Sequence, residues 1–192
     1  MSSSRELIEK LIAERMEEFA GQDLPDSDEK ILLGIKDDAS WVISLKGGVP
    51  QANEGTTDDA LVTILFSDNA LPILMNEGSD GNGMMDQMTQ MNEMIAKADT
   101  IRESINGTLK LVIKTEDGNE ETLAIGFCGL DYDSPTTTIT MPIHLMQELS
   151  GGSDDAQPKM MQAFMAGDIQ LDGDMGFVMN LQSNLDLGMP GM

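Results

Sequence analysis

Pro158–Gln182, PKMMQAFMAGDIQLDGDMGFVMNLQ, is the stretch on which the fold turns. Two runs rich in methionine and phenylalanine flank the acidic turn Asp172-Gly173-Asp174. An ordinary core, a lipid site and a calcium loop would all use such a pattern. A calcium loop of the EF-hand kind needs oxygens at alternate positions over about twelve residues and a closing Glu. Asp168, Asp172 and Asp174 are too closely spaced, and no Glu follows them. The stretch therefore reads as helix, strand, helix. Pro158 suits the first turn of a helix running to about Ala166. Residues 169–175 read as a short strand and 176–187 as a closing helix. Asp172-Gly173 makes the turn, and Asp174 caps the second helix, where a carboxylate also meets the positive end of the helix dipole. No metal is expected.

Moving upstream, the pattern of elements repeats. Residues 3 to 20 read as an amphipathic helix, with Leu7, Ile8, Leu11, Ile12, Met16 and Phe19 at helical spacing. ILLGIK (31–36), ASWVISLK (39–46) and ALVTILFS (60–67) read as strands, the first two joined through Asp37-Asp38. A short helix follows in 67–78, with Pro72 in its first turn. SDGNG (79–83) is the strongest loop signal. Then comes a second long helix, marked by Met84, Met88, Met91, Ile95, Ala98 and Ile105. TLKLVIKT (108–115), the turn EDGN and ETLAIGF (121–127) form a hairpin, followed by a strand at 136–141 and a short helix at 143–149. The order helix, three strands, short helix thus occurs twice. The second copy alone continues with helix, strand, helix.

Composition narrows the function classes. The 34 acidic residues outweigh the 11 basic ones, for a net charge of −23. Nucleic acid and anionic membranes both require Lys and Arg to displace counterions, so neither is an expected partner. No apolar run approaches the roughly 18 residues that span a bilayer. Residues 1–19 lack the apolar segment of a signal peptide, so a cytoplasmic location is expected. Cys128, the one cysteine, reads as a buried, inert thiol. His144, the one histidine, has no nucleophile elbow or zinc spacing to serve. No catalytic residue and no cofactor are expected. The 17 methionines suit apolar space of irregular or changing shape.

Four stretches carry a family resemblance: TTTITMPIHLMQELSGG, PKMMQAFMAG, DIQLDGDM and GFVMNLQ. The last three are similar to a pattern like AFxxGKLKIxGDMGLAMKLQ, found at the end of the sterol carrier protein type 2 domain. Gly167, Gly173-Asp174-Met175-Gly176 and Leu181-Gln182 keep its spacing over about 25 residues. The chain departs from it where basic residues usually follow the first glycine, because Asp168 and Gln170 stand there.

The resemblance implies an α+β fold, a twisted, mainly antiparallel sheet of about five strands covered by helices. Residues 84–192 would be the sterol-carrier-like domain and 1–83 a truncated repeat, with a single shared sheet as an option. It also implies non-covalent carriage of a fatty acid, acyl thioester, sterol or quinone-like lipid in an apolar tunnel. The expected lining is Met160, Phe164 and Met165 on one helix, with Phe177, Val178, Leu181 and Leu185 on the next. Trp41 and Met75 are further candidates. The apolar ligand is the expected partner, and an enzyme partner and a homodimer stay open. The rival reading is an interaction module, or an accessory subunit of a lipid-modifying enzyme, with no ligand of its own.

Overall fold

The computed structural model describes residues 4–19, 26–76, 91–150 and 156–185. Its first part runs α1 (Ser4–Phe19), β1 (Ser27–Ile35), β2 (Ser40–Lys46), β3 (Val49–Glu54), β4 (Val62–Phe66) and α2 (Ala70–Asn76). Its second part runs α3 (Met91–Ala96), α4 (Ala98–Ser104), β5 (Gly107–Lys114), β6 (Glu120–Phe127) and β7 (Thr137–Pro142). It ends with α5 (Ile143–Ser150), α6 (Ala156–Ala166), β8 (Gln170–Gly173) and α7 (Met175–Asn184). The expected boundary loop at 79–83, Met84, Met88 and the tail from 186 lie outside the described residues, as do the side chains of Met75, Met91 and Met160.

The fold is α+β, as expected, but the sheet has eight strands rather than about five. Their order is β3-β2-β1-β4-β6-β5-β7-β8. Five of the seven pairings are antiparallel, and β1–β4 and β5–β7 are parallel. One row of paired residues crosses every strand: Glu54, Trp41, Leu33, Ile64, Ile125, Leu109, Thr137 and Gly173. Side chains in one row project to the same face, so this register gives the sheet a single apolar face. The helices cover that face, and α1 to α7 all contribute buried side chains to one core, α6 among its described side chains through Ala163 alone.

The count differs because strands of the two halves pair with each other and because one strand escaped the pattern. β3, VPQANE, has little apolar alternation and lies at the sheet edge, where Pro50 costs no ladder bond. Its signal is Gly47-Gly48, both at positive φ (62° and 71°), a glycine pair that closes a two-residue hairpin. The Asp37-Asp38 hairpin forms, with Asp37 at φ 63°. The expected second long helix is interrupted. At Lys97 the backbone leaves helical geometry (φ −100°, ψ 15°), which separates α3 from α4.

The element repeat is also a repeat of topology. In β2-β1-β4 the central strand has an antiparallel hairpin partner on one side and a parallel partner on the other, and β6-β5-β7 is built the same way. Outside these triplets, β3 lies antiparallel to β2 and β8 antiparallel to β7. The join between halves is the antiparallel pair β4–β6. By the repeat, β6 stands to the first triplet as β8 does to the second, and β4 stands to the second triplet as β3 does to the first. Each half closes one edge of the other.

Candidate ligand site

The last helix is seated by its own cap. The Asp174 carboxylate accepts hydrogen bonds from the N–H groups of Gly176 (2.8 Å) and Phe177 (3.3 Å), two donors that an uncapped helix leaves unsatisfied. Asp174 N–H donates to the Thr136 carbonyl (3.0 Å), and the Thr137 hydroxyl donates to the Asp174 carbonyl (2.8 Å). The first turn of α7 is thereby tied to the start of β7. Further along, the Asn180 side-chain amide donates to the Ser104 carbonyl at the end of α4.

This anchoring turns a stripe of α7 onto the sheet. Phe177, Val178 and Leu181 are buried on it, with Leu185 just beyond the helix end. The Phe177 ring meets Phe127 edge-on, with centroids 6.4 Å apart and planes at 69°. Beneath it lies Gly107 at φ 147°. A Cβ there would run into Thr136 and sit 3.1 Å from the Phe177 ring. Phe127 and Gly107 therefore decide where Phe177 rests, and neither is among the expected lining residues. Phe127 ends the expected strand ETLAIGF, where alternation puts it on one face with Leu123 and Ile125. Gly107 carried only the signal of an Asn-Gly step before a strand.

The seven expected lining residues are not all brought together. Phe177, Val178, Leu181 and Leu185 share the inner side of α7. Phe164 and Met165 sit on α6 with 39% and 82% of their surface exposed. Met160 lies in α6, with its side chain outside the described set. Among the described side chains of α6 only Ala163 is buried. The helix is tied down at its C-terminal end, where Asp168 N–H donates to the Ala163 carbonyl (2.9 Å) and Ile169 is buried. Trp41 is far along the sheet, buried, with the Arg5 guanidinium 5.9 Å from its ring centre.

Ionisable groups are absent from the inner side of α7. The resolved perturbations fall on surface groups elsewhere. The Asp59 carboxyl is held below its ordinary range by hydrogen bonds from Lys30 and Thr57. The Arg102 guanidinium is held above its ordinary value chiefly by its hydrogen bond to Glu29. His144 is exposed. Cys128, expected to be buried, is only partly so, at φ 56°. Among the described residues no group of three or more His, Cys, Asp or Glu could hold a metal ion. No described helix is long and apolar enough to cross a membrane. Such a surface can bind by burying apolar area.

Residues 88–186 match the SCP-2 sterol transfer family. The chain belongs to this family. The match covers α3 to α7, so the SCP-2 portion holds the whole candidate site, and α1 to α2 fall outside it. Sterol carrier protein 2 like 2 from Aedes aegypti is similar at 20% identity, over 50% of this chain and 95% of its own, with a TM-score of 0.30. A palmitated form of the Aedes aegypti protein is similar at 24% identity, over 42% of this chain and 72% of its own (TM-score 0.32). Sterol carrier protein domain 2 of Helicoverpa armigera is similar at 20% identity, over 55% and 88% of the two chains (TM-score 0.34). No curated protein matches the sequence.

Proposed function

We propose that the protein carries an apolar ligand (a fatty acid, acyl thioester, sterol or quinone-like lipid) without transforming it. The ligand lies against the inner side of α7, and residues 84–192 form the carrier unit beside a truncated repeat, 1–83. The observation that carries this reading is the uniformly apolar stripe Phe177, Val178, Leu181 and Leu185, held over the sheet with no ionisable group on it. Each methylene buried there contributes roughly 0.8 kcal/mol. A long acyl chain can thus offset the several kcal/mol of lost translational and rotational freedom that binding costs, with no polar anchor. Phe164 and Met165 join the wall if α6 rolls inward. The carrier works in the cytoplasm and presents its ligand to an enzyme.

One observation favours the rival reading, an interaction module with no ligand of its own. The four α7 side chains are at most 7% exposed and already pack into the core, so in this state side chains occupy the space. Displacement of a fluorescent fatty acid separates the two. The carrier reading expects saturable uptake, lost in Leu181→Asp and reduced at least fivefold in the more conservative Leu185→Trp, which narrows the space. Uptake unchanged in a folded Leu185→Trp protein would place the ligand elsewhere. No uptake by the parent protein would favour the interaction module.

A further inference from the structure

Six large apolar side chains stand exposed on the described surface, and five of them are on the two C-terminal helices: Met161, Phe164, Met165, Met175 and Met179. On α6 the spacing i, i+3, i+4 puts Met161, Phe164 and Met165 on one face. This face points to water at 54%, 39% and 82% exposure. A folded domain has no reason of its own to keep such a stripe wet, and contiguous exposed apolar surface marks a place where something docks.

We propose that the outer face of α6 receives a basic amphipathic helix from a partner protein. With α6 as placed, this proposal uses its solvent side and no α7 residue; it shares Phe164 and Met165 with the ligand reading only if α6 rolls inward, and Met161 belongs to it alone. Charge selects the occupant. The end of α6 beside Phe164 and Met165 carries the negative pole of the helix and the exposed Asp168 carboxylate, and the chain as a whole is at −23. A cation arriving there meets the Asp168 carboxylate at the negative end of the helix. A bilayer fits poorly, since helices that lie in a membrane interface set Lys and Arg beside their apolar face. α6 carries one Lys, Lys159, and between Asp168 and Leu185 there is no Lys or Arg, too few cations for that arrangement. A second copy fits poorly as well, because it would bring −23 against −23. The chemistry of the stripe agrees with a helix: methionine reshapes itself around a partner's side chains, and apolar anchors at i, i+3 and i+4 match an amphipathic helix laid alongside.

The test uses the full chain and an 18-residue Leu/Lys amphipathic peptide carrying a fluorophore, with a scrambled peptide of the same composition as control. The amphipathic peptide is expected to bind at least tenfold tighter than the scrambled one. Met161→Asp together with Met165→Asp, checked for folding by circular dichroism, is expected to weaken binding at least tenfold although it adds negative charge. Asp168→Lys is expected to weaken it several-fold. Equal binding of both peptides, or tighter binding to the double Asp variant, would mean that net charge alone acts and would overturn the proposal. So would no binding of the amphipathic peptide. Binding to neutral phosphatidylcholine vesicles in place of the peptide, or a dimer that Met165→Asp turns into a monomer, would assign the stripe to a membrane or a second copy and overturn it equally.

Discussion

The first half and the second half use the same three-strand arrangement and cover it differently. In the first half, α1 and α2 lie on the sheet with Ile8, Leu71 and Leu74 fully or almost fully buried, and no exposed large apolar residue sits on either helix among the described side chains. In the second half, α7 buries its stripe while α6 leaves its own in water. One triplet of strands is thus finished as a closed core, and the other is finished with surface to spare. The halves are not separate domains in packing, because the β4–β6 ladder and a buried joint connect them. At that joint Glu121, on β6, accepts hydrogen bonds from the Ser67 hydroxyl (2.7 Å) and the Asn69 amide (3.1 Å), both at the entry to α2. The lesson is that a repeated topology need not give a repeated covering of the sheet. What differs is β3, found in the first half alone, and the elements that follow the short helix in the second half, namely α6, β8 and α7.

The largest test of this comparison is Phe127→Ala. Phe127 pairs with Val62 of the first half and touches Phe177 of the second. Truncating a fully buried aromatic costs about 3–5 kcal/mol. Because both halves share the residue's surroundings, thermal unfolding should stay a single transition at lower temperature. Two separate transitions would show that the halves are independent after all. A smaller effect is expected from Glu121→Ala, which strands the Ser67 and Asn69 donors at a cost of about 1–3 kcal/mol. Hydrogen exchange should quicken in α2, and ligand affinity should stay within about twofold, the size of effect expected when a mutation and a distant site do not couple. A large loss of affinity would mean that the joint shapes the site. The smallest effect is expected from Asp174→Ala, which removes the α7 cap at about 1 kcal/mol. Exchange should quicken at the start of α7 and stay unchanged in α1, with a modest loss of affinity. Equal quickening in both helices would contradict the division of roles.

Much of this arrangement was legible in the sequence where it is local. The Asp37-Asp38 and Glu116–Asn119 turns, the alternation of Leu109, Leu111 and Ile113, and the AFMAGDIQLDGDMGFVMNLQ signature all depend on residues close together in the chain. The β4–β6 pairing joins residues such as Val62 and Phe127, and no short-range pattern records such a contact. That is why the sequence reads as a sheet of about five strands and leaves a shared sheet only as an option. β3 was missed because an edge strand facing water needs no apolar alternation, and only its glycine pair betrays it. The α7 stripe could be read from its helical spacing. The stripe on α6 has equally good spacing, but spacing says only that side chains share a face. Whether that face meets the sheet or the solvent depends on how the Gly167–Ile169 turn sets the helix, and this is a tertiary property. Gly107 escaped notice for a related reason: its role is to leave room for a ring that lies 70 positions away.

Native mass spectrometry of the full chain, alone and mixed with a long-chain fatty acid, tests the carrier reading most directly. The expected result is a saturable one-to-one complex, present with the parent protein and missing with Leu181→Asp. A spectrum that keeps the bare mass at every fatty-acid concentration would contradict it, and the buried α7 stripe would then be core packing alone.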